Sequence, residues 1–219
     1  MAEFIKVTYT GREKDTKDVF DTNSADEAKK AGMFVKDRDY KPTLMIVGES
    51  QLIKGFEEAL AGMSKNDKKT TEITPDKAYG ERLSELVKLV PMKVFTDNKI
   101  KPVPGMIVDV DGHPVRVQSV SGGRVRLDFN HELAGKTLVF DILVNERLEK
   151  PEEIIQALFE RLFPELKEKI AVKKSEKETE ITVPKSAVTV KNYQGRKLFL
   201  IQEIKRYLKI ENVKISEQY

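Results

Sequence analysis

The chain has 219 residues, 39% of them hydrophobic, enough for one large core or two to three small ones, so a disordered chain is excluded. Its lack of cysteine and its two histidines remove disulfides, thiolate nucleophiles and cysteine-bound zinc or iron–sulfur centres, and leave almost nothing for another metal site. Charged residues make up 34%, yet the net charge is only +3; residues 151–219 carry 14 Lys and Arg against 11 Asp and Glu, and residues 1–150 carry 25 of each, which argues against a nucleic-acid footprint.

There is no run of about 18 apolar residues, and the start MAEFIKVTYTG lacks the basic beginning and apolar stretch of a signal peptide, so the expected location is the cytoplasm. FIKVTYTG alternates around Val7 and Tyr9 and stops at Gly11, which predicts a strand, and DVFDTN predicts another. SADEAKKAGMFVK suits a helix that Gly32 shortens, and PTLMIVGES is a β-rich run ending at Gly48. LIKGFEEALAGM predicts a short amphipathic helix, with Phe56, Leu60 and Met63 at helical spacing; KKTTEITP predicts a strand before a turn at Pro75 and Asp76.

From about Leu83 the character changes. LSELVKLVPMKVF is densely apolar, and KPVPGMIVDVDGHPVRVQSVSGGRVRLDF offers short strands divided by Asp-Gly and Gly-Gly turns. TLVFDILVNERLE then reads as a strand completing the first sheet, which makes residues 84–129 an insertion in a first domain formed by 1–83 and 130–150. Pro151 opens a different unit, residues 151–219. PEEIIQALFERLF is an amphipathic helix with acidic residues in its first turn, KETEITVPKSAVTV one or two strands, RKLFLIQEIKRYLKI a helix and ENVKISEQ a last strand. A unit that small sits near the lower limit of independent stability, and its apolar helices, KLFLIQEI among them, suggest pairing with a second copy.

Several stretches imitate chemical motifs. NHELAGKT, Asn130 to Thr137, ends like a phosphate-binding loop, but Asn130 stands where such a loop needs glycine and a strand sequence follows. His131 has no serine motif to serve as a base, so a turn histidine is expected there. DVDGHP begins like a calcium loop, yet Val120 holds the position of the bidentate glutamate, which leaves a hairpin turn. No metal and no cofactor is expected.

VTYTG, DVFDTN, GESQLIKGFEEALAGM, ITPDKAYGE and LVFDI, taken in this order, resemble the FKBP-type peptidyl-prolyl cis-trans isomerases. The insertion, from LVKLVPMKVF to NHELAGKTLVFDI, resembles that of the SlyD branch, an insert-in-flap chaperone domain, and the C-terminal extension resembles the long archaeal members. The resemblance implies an α+β fold: an antiparallel half-barrel sheet wrapped on a short helix, an inserted β-rich domain and a C-terminal α+β domain. It implies a catalytic set of Tyr79, Asp21, Phe20, Phe140 and Ile53, with the Ile53 N–H and the Tyr79 hydroxyl directed at substrate. Substrate-binding residues would be Tyr9, Leu52, Phe56, Leu133 and Met45; Phe56 stands where many members carry Trp, and Thr43 where an apolar residue is common. The implied partners are unfolded or nascent polypeptides containing proline, and neither a membrane nor a nucleic acid or the ribosome.

Leu86, Val87, Leu89, Val90, Met92, Val94 and Phe95 read either as the core of the insertion or as an exposed patch holding unfolded chains. The alternative function is a pure holdase with a residual pocket.

Overall fold

The computed structural model describes residues 2–49, 51–174 and 178–217, and divides into two units, residues 1–72 with 139–219 and residues 73–138. Ser50, Lys177 and Gln218, which belong to stretches read above, lie outside the described residues.

The first unit begins with strands β1 (Glu3–Glu13) and β2 (Val19–Thr22), helix α1 (Ala25–Lys30), strand β3 (Thr43–Val47), helix α2 (Lys54–Leu60) and strand β4 (Lys68–Ile73). Helix α1 starts where the Ser24 hydroxyl accepts from Glu27 N–H, and the chain leaves it through Gly32 at φ +69°, so the helix is as short as glycine requires. β1 pairs antiparallel with β2 and β3, in a register that places Ile5 opposite Met45 and Gly11 opposite Asp21. Side chains alternate along a strand and cross-strand partners share a face, so Ile5, Val7, Tyr9 and Met45 project to one side and Phe4, Lys6, Leu44 and Ile46 to the other.

The second unit holds β5 (Val87–Pro91), α3 (Met92–Asp97), β6 (Ile107–Val110), β7 (His113–Ser121) and β8 (Arg124–Asp128), in a four-stranded sheet of order β5-β8-β7-β6. The Asp-Gly and Gly-Gly pairs make the turns, with Asp111, Gly112, Gly122 and Gly123 all at positive φ. Phe95, Val108, Val115, Val117, Val125 and Leu127 form its core, and Val90 and Met92 pack against it. Pro91 divides the apolar run into strand and helix, which turns Phe95 inward.

β9 (Leu138–Leu148) returns to the first sheet, whose order is β2-β1-β9-β4 with β3 on β1. Then follow α4 (Pro151–Leu162), β10 (Ala171–Lys174), β11 (Thr179–Val183), α5 (Lys185–Val188), α6 (Tyr193–Leu208) and β12 (Val213–Glu217). β11 pairs antiparallel with β10 and parallel with β12. SAVTV, expected to be part of a strand, is mostly the short helix α5: Pro184 breaks the strand, and Ala187 is drawn into the core.

Residues 151–217 do not close a core of their own. Ile155, Leu158, Phe159, Phe163, Leu200 and Ile204 form one cluster with Phe4, Leu44, Ile46 and Leu148, the outer face of the first sheet. The size limit inferred from the sequence is therefore met by packing within the chain. α4 and α6 are also joined by an Arg161–Glu203 ion pair, with Glu203 buried.

Candidate active site

The inner face of the first sheet carries an aromatic cluster. Tyr9 on β1, Phe140 on β9 and Phe56 on α2 meet ring against ring, with centroids 5.8 Å apart for Tyr9–Phe56, 6.4 Å for Tyr9–Phe140 and 5.1 Å for Phe56–Phe140. Phe20 on β2 adds an edge-to-face contact with Phe140 at 5.6 Å. The Tyr9 hydroxyl donates to Asp21 Oδ2 at 2.6 Å, so the carboxylate is held at the border of the cluster. Met45 is buried on the same face as Tyr9, by the register of β3. Leu52 and Ile53 are half-buried at the start of α2. Ile53 is extended (φ −62°, ψ 140°) and its carbonyl accepts from Phe56 and Glu57 N–H, while no acceptor takes its own N–H among the described residues. The structure thus brings together Tyr9, Phe20, Asp21, Phe56 and Phe140 in direct contact, with Met45, Leu52 and Ile53 on the elements that carry them.

Gly11, Asn23 and Arg38 shape this face without being legible as site residues in the sequence. At Gly11 a Cβ would lie 2.6 Å from the Phe20 ring and 2.8 Å from the Phe140 ring, so only glycine lets the two rings converge over β1. A glycine that ends an alternating strand pattern was the available signal. Asn23, buried, accepts from Tyr9 N–H at 2.8 Å and donates to the Val7 carbonyl at 2.8 Å and the Thr43 hydroxyl at 2.9 Å, fixing the backbone that presents Tyr9. Thr43 therefore serves β3 through its hydroxyl, and needs no apolar side chain. Arg38 lies 3.7 Å from Asp21, an exposed and hence weak ion pair.

The outer face of the same sheet holds a groove of about 370 Å³ lined by Thr8, Thr10, Arg12, Glu27, Thr70 and Asp141. Arg12 pairs with Asp141 and, at 2.8 Å, with Glu27, and Thr70 donates to Asp141 at 2.6 Å. The Thr70 hydroxyl, then Arg12, hold the Asp141 carboxyl below its usual range. Arg12, Glu27, Asp141 and Thr70 thus form a polar network in this groove, in contrast to the aromatic inner face.

The remaining inferred residues belong to the second unit. Tyr79 follows the turn at Pro75–Lys77, where Pro75 O accepts from Ala78 N–H at 3.0 Å and from Gly80 N–H at 2.8 Å, and its ring stacks on His131 at 4.0 Å and 4°. Leu133 is buried. Asn130 grips Leu83 at both backbone groups, accepting its N–H at 2.9 Å and donating to its carbonyl at 3.0 Å, which ties the two segments flanking the four-stranded sheet. Of the seven residues considered as a patch, Leu86, Leu89 and Val94 are exposed, Val87, Val90 and Met92 are half-buried, and Phe95 is core, so Phe95 is not part of an exposed surface. Among the described residues no group of three His, Asp or Glu side chains is gathered as for a metal ion, and no helix is long and apolar enough to cross a membrane.

Residues 88–133 match the family model described as FKBP26, IF domain, and residues 151–219 the one described as FKBP26_C-terminal. A short-type peptidyl-prolyl cis-trans isomerase of Methanocaldococcus jannaschii is 41% identical over 144 residues, 66% of this chain and 90% of that protein. The chain belongs to the FKBP-type peptidyl-prolyl cis-trans isomerases. Among other members of this family, the FKBP-type 16 kDa isomerase of Escherichia coli is 35% identical over 111 residues, 48% of this chain and 74% of the relative. The SlyD isomerase of Vibrio cholerae is 38% identical over 100 residues, 44% of this chain and 50% of the relative. Residues 151–219, matched by the C-terminal family model, have a core continuous with the first sheet of this FKBP-type enzyme.

Proposed function

We propose that the chain rotates X-Pro bonds of unfolded or partly folded polypeptides on the inner face of the first sheet, without covalent intermediate or cofactor. The observation that carries this is the convergence of Tyr9, Phe20, Phe56 and Phe140 on one face of the sheet, bordered by Asp21. The barrier to rotating a peptide bond is about 18–20 kcal/mol because the twisted amide loses its resonance. A twisted amide has less charge separation than a planar one, so an apolar surface that excludes water favours it relative to the ground state. On the first unit the Ile53 N–H would take a carbonyl of the flanking chain; on the second unit the Tyr79 hydroxyl would be a further substrate contact. Proline-limited refolding and a short proline peptide test the reading: Phe140→Ala and Tyr79→Phe should both slow catalysis, and unchanged rates in both would refute the site.

The chaperone part of the reading rests on exposed apolar side chains in the second unit: Leu83, Leu86, Leu89, Val94, Val103 and Ile107. They would hold clients by their apolar residues and raise the local concentration of prolines. Replacing Leu86, Leu89 and Val94 with Ser should weaken aggregation suppression while peptide isomerisation persists. The holdase alternative requires the reverse: site variants would change nothing in refolding.

Self-association is supported by Leu198 and Phe199, 60% and 49% exposed on α6. With residues 151–217 already sharing a core with the first sheet, these side chains, and not a shortage of core, motivate a dimer. Light scattering of Leu198→Glu with Phe199→Glu against the unmodified chain tests it; a monomeric unmodified chain rules it out.

A further inference from the structure

We propose that His131 is a positioning residue for Tyr79, holding the ring, and with it the hydroxyl, in the orientation that meets substrate. The proposal rests on the assignment of Tyr79 to substrate binding made above.

Tyr79 has 38% of its surface exposed, and a tyrosine so placed ordinarily samples several rotamers. Here one face of the ring lies flat on the His131 imidazole, 4.0 Å away and 4° from parallel. The imidazole is itself fixed: its Nδ1 accepts the Leu133 N–H at 3.1 Å. That contact requires an unprotonated Nδ1, so the neutral ring carries its proton on Nε2. The side chain thus closes a turn on the residue two places ahead, as asparagine does in many turns, while presenting a flat face that asparagine lacks.

The backbones beneath the two rings are clamped. Gly135 N–H donates to the Gly80 carbonyl at 2.8 Å, joining the segment after His131 to the residue after Tyr79. Asn130 holds Leu83 on both sides, and Arg82 pairs with the buried Asp128. These bonds tie the backbones beneath the imidazole and Tyr79 to each other without substrate, as preorganised contacts require. Because both rings are exposed, their contact shields little apolar surface and does little for the fold. Its consequence is restriction of Tyr79.

Two functions of one side chain, the flat face and the Nδ1 acceptor, can be separated by substitution in the full chain. His131→Phe retains a ring for stacking and loses the acceptor. His131→Asn retains an acceptor for the Leu133 N–H and loses the ring. His131→Ala loses both. The positioning role predicts that kcat/KM on a short proline peptide falls roughly three- to tenfold in His131→Ala and His131→Asn, and stays within about twofold in His131→Phe, with melting temperatures near that of the unmodified protein. Tyr79 ring-proton resonances should move downfield in the Ala and Asn variants as the shielding of the stacked ring is lost. A merely structural turn predicts the opposite order, with His131→Asn active and His131→Phe impaired, and that order would overturn the proposal. So would wild-type kcat/KM in His131→Ala alongside impaired Tyr79→Ala. If Tyr79→Ala is itself fully active, the reading of Tyr79 fails, and the proposal falls with it by a separate, visible route.

Discussion

The two apolar surfaces of the molecule are built in opposite ways. On the inner face of the first sheet each ring has an assigned neighbour: Phe140 touches Tyr9, Phe20 and Phe56, and Asn23 fixes the strand that carries Tyr9. In the second unit Leu89, Val94 and Ile107 point into solvent, at 57%, 48% and 54% exposure, over a separate valine-rich core. A surface that must distinguish a twisted amide from a planar one has to be preorganised, because only interactions that strengthen at the transition state accelerate rotation. The holding of many unfolded chains proposed for the second surface would gain from carrying no such constraint.

The strongest way to break this contrast is Phe140→Ala. Phe140 is 5% exposed and central to the cluster, so kcat/KM on a peptide is expected to fall about a hundredfold, roughly 2.7 kcal/mol of transition-state stabilisation. Unfolding should also become easier by about 3–5 kcal/mol, as for other large-to-small core changes. Denaturant titration beside the kinetic assay separates the two.

Gly11→Ala is expected to act next. The strand backbone tolerates alanine, but the new Cβ would meet the Phe20 and Phe140 rings at 2.6 and 2.8 Å. Overpacking of this kind costs about 1–3 kcal/mol and should spread the rings, lowering kcat/KM about tenfold. If peptide kinetics stay at the wild-type value, convergence of the two rings over β1 is not what catalysis needs.

Leu89→Ser sharpens the comparison from the other side. Surface substitutions usually change stability by less than about 0.5 kcal/mol, so melting temperature and peptide isomerisation should hold while suppression of aggregation declines. A loss of peptide activity in this variant would remove the division of labour between the surfaces.

The smallest effect concerns the outer polar groove. Asp141 is held below its ordinary carboxyl pKa by the Thr70 hydroxyl and by Arg12. A depressed folded-state value contributes stability that is present above the unfolded carboxyl pKa, near 4, and is lost as the pH falls through the folded value. Asp141→Asn should therefore flatten the acid limb of a melting-temperature profile below about pH 4, and cost under about 1 kcal/mol near neutrality because the pair is partly exposed. An unchanged acid limb would exclude Asp141 from the linkage.

How much of this was legible before folding depends on the range of the interaction involved. The strands around Val7 and Tyr9, the hairpin turns at Asp111–Gly112 and Gly122–Gly123, and the helices at 54–60 and 151–162 follow from local alternation, turn residues and helical spacing. The aromatic set Tyr9, Phe20, Phe56 and Phe140 was named from motif order, since nothing in spacing alone places four distant rings together. SAVTV departs from the strand its composition suggests because β-branched residues favour a strand only where a partner strand exists; here Ala187 joins the core from a helix instead. The run from Leu86 to Phe95 was ambiguous for a similar reason, because exposure depends on what the rest of the unit covers.

By itself the sequence determined where the chain bends, which segments carry an apolar face, and that no thiol or cysteine-bound metal chemistry was open to it, because those properties reside in single residues and near neighbours. Only the tertiary structure decided that Gly11 makes room for two rings, that residues 151–217 share a core with the first sheet, and that His131 of NHELAGKT lies flat on Tyr79. Each of those facts is a meeting of residues far apart along the chain, set by strand register and packing.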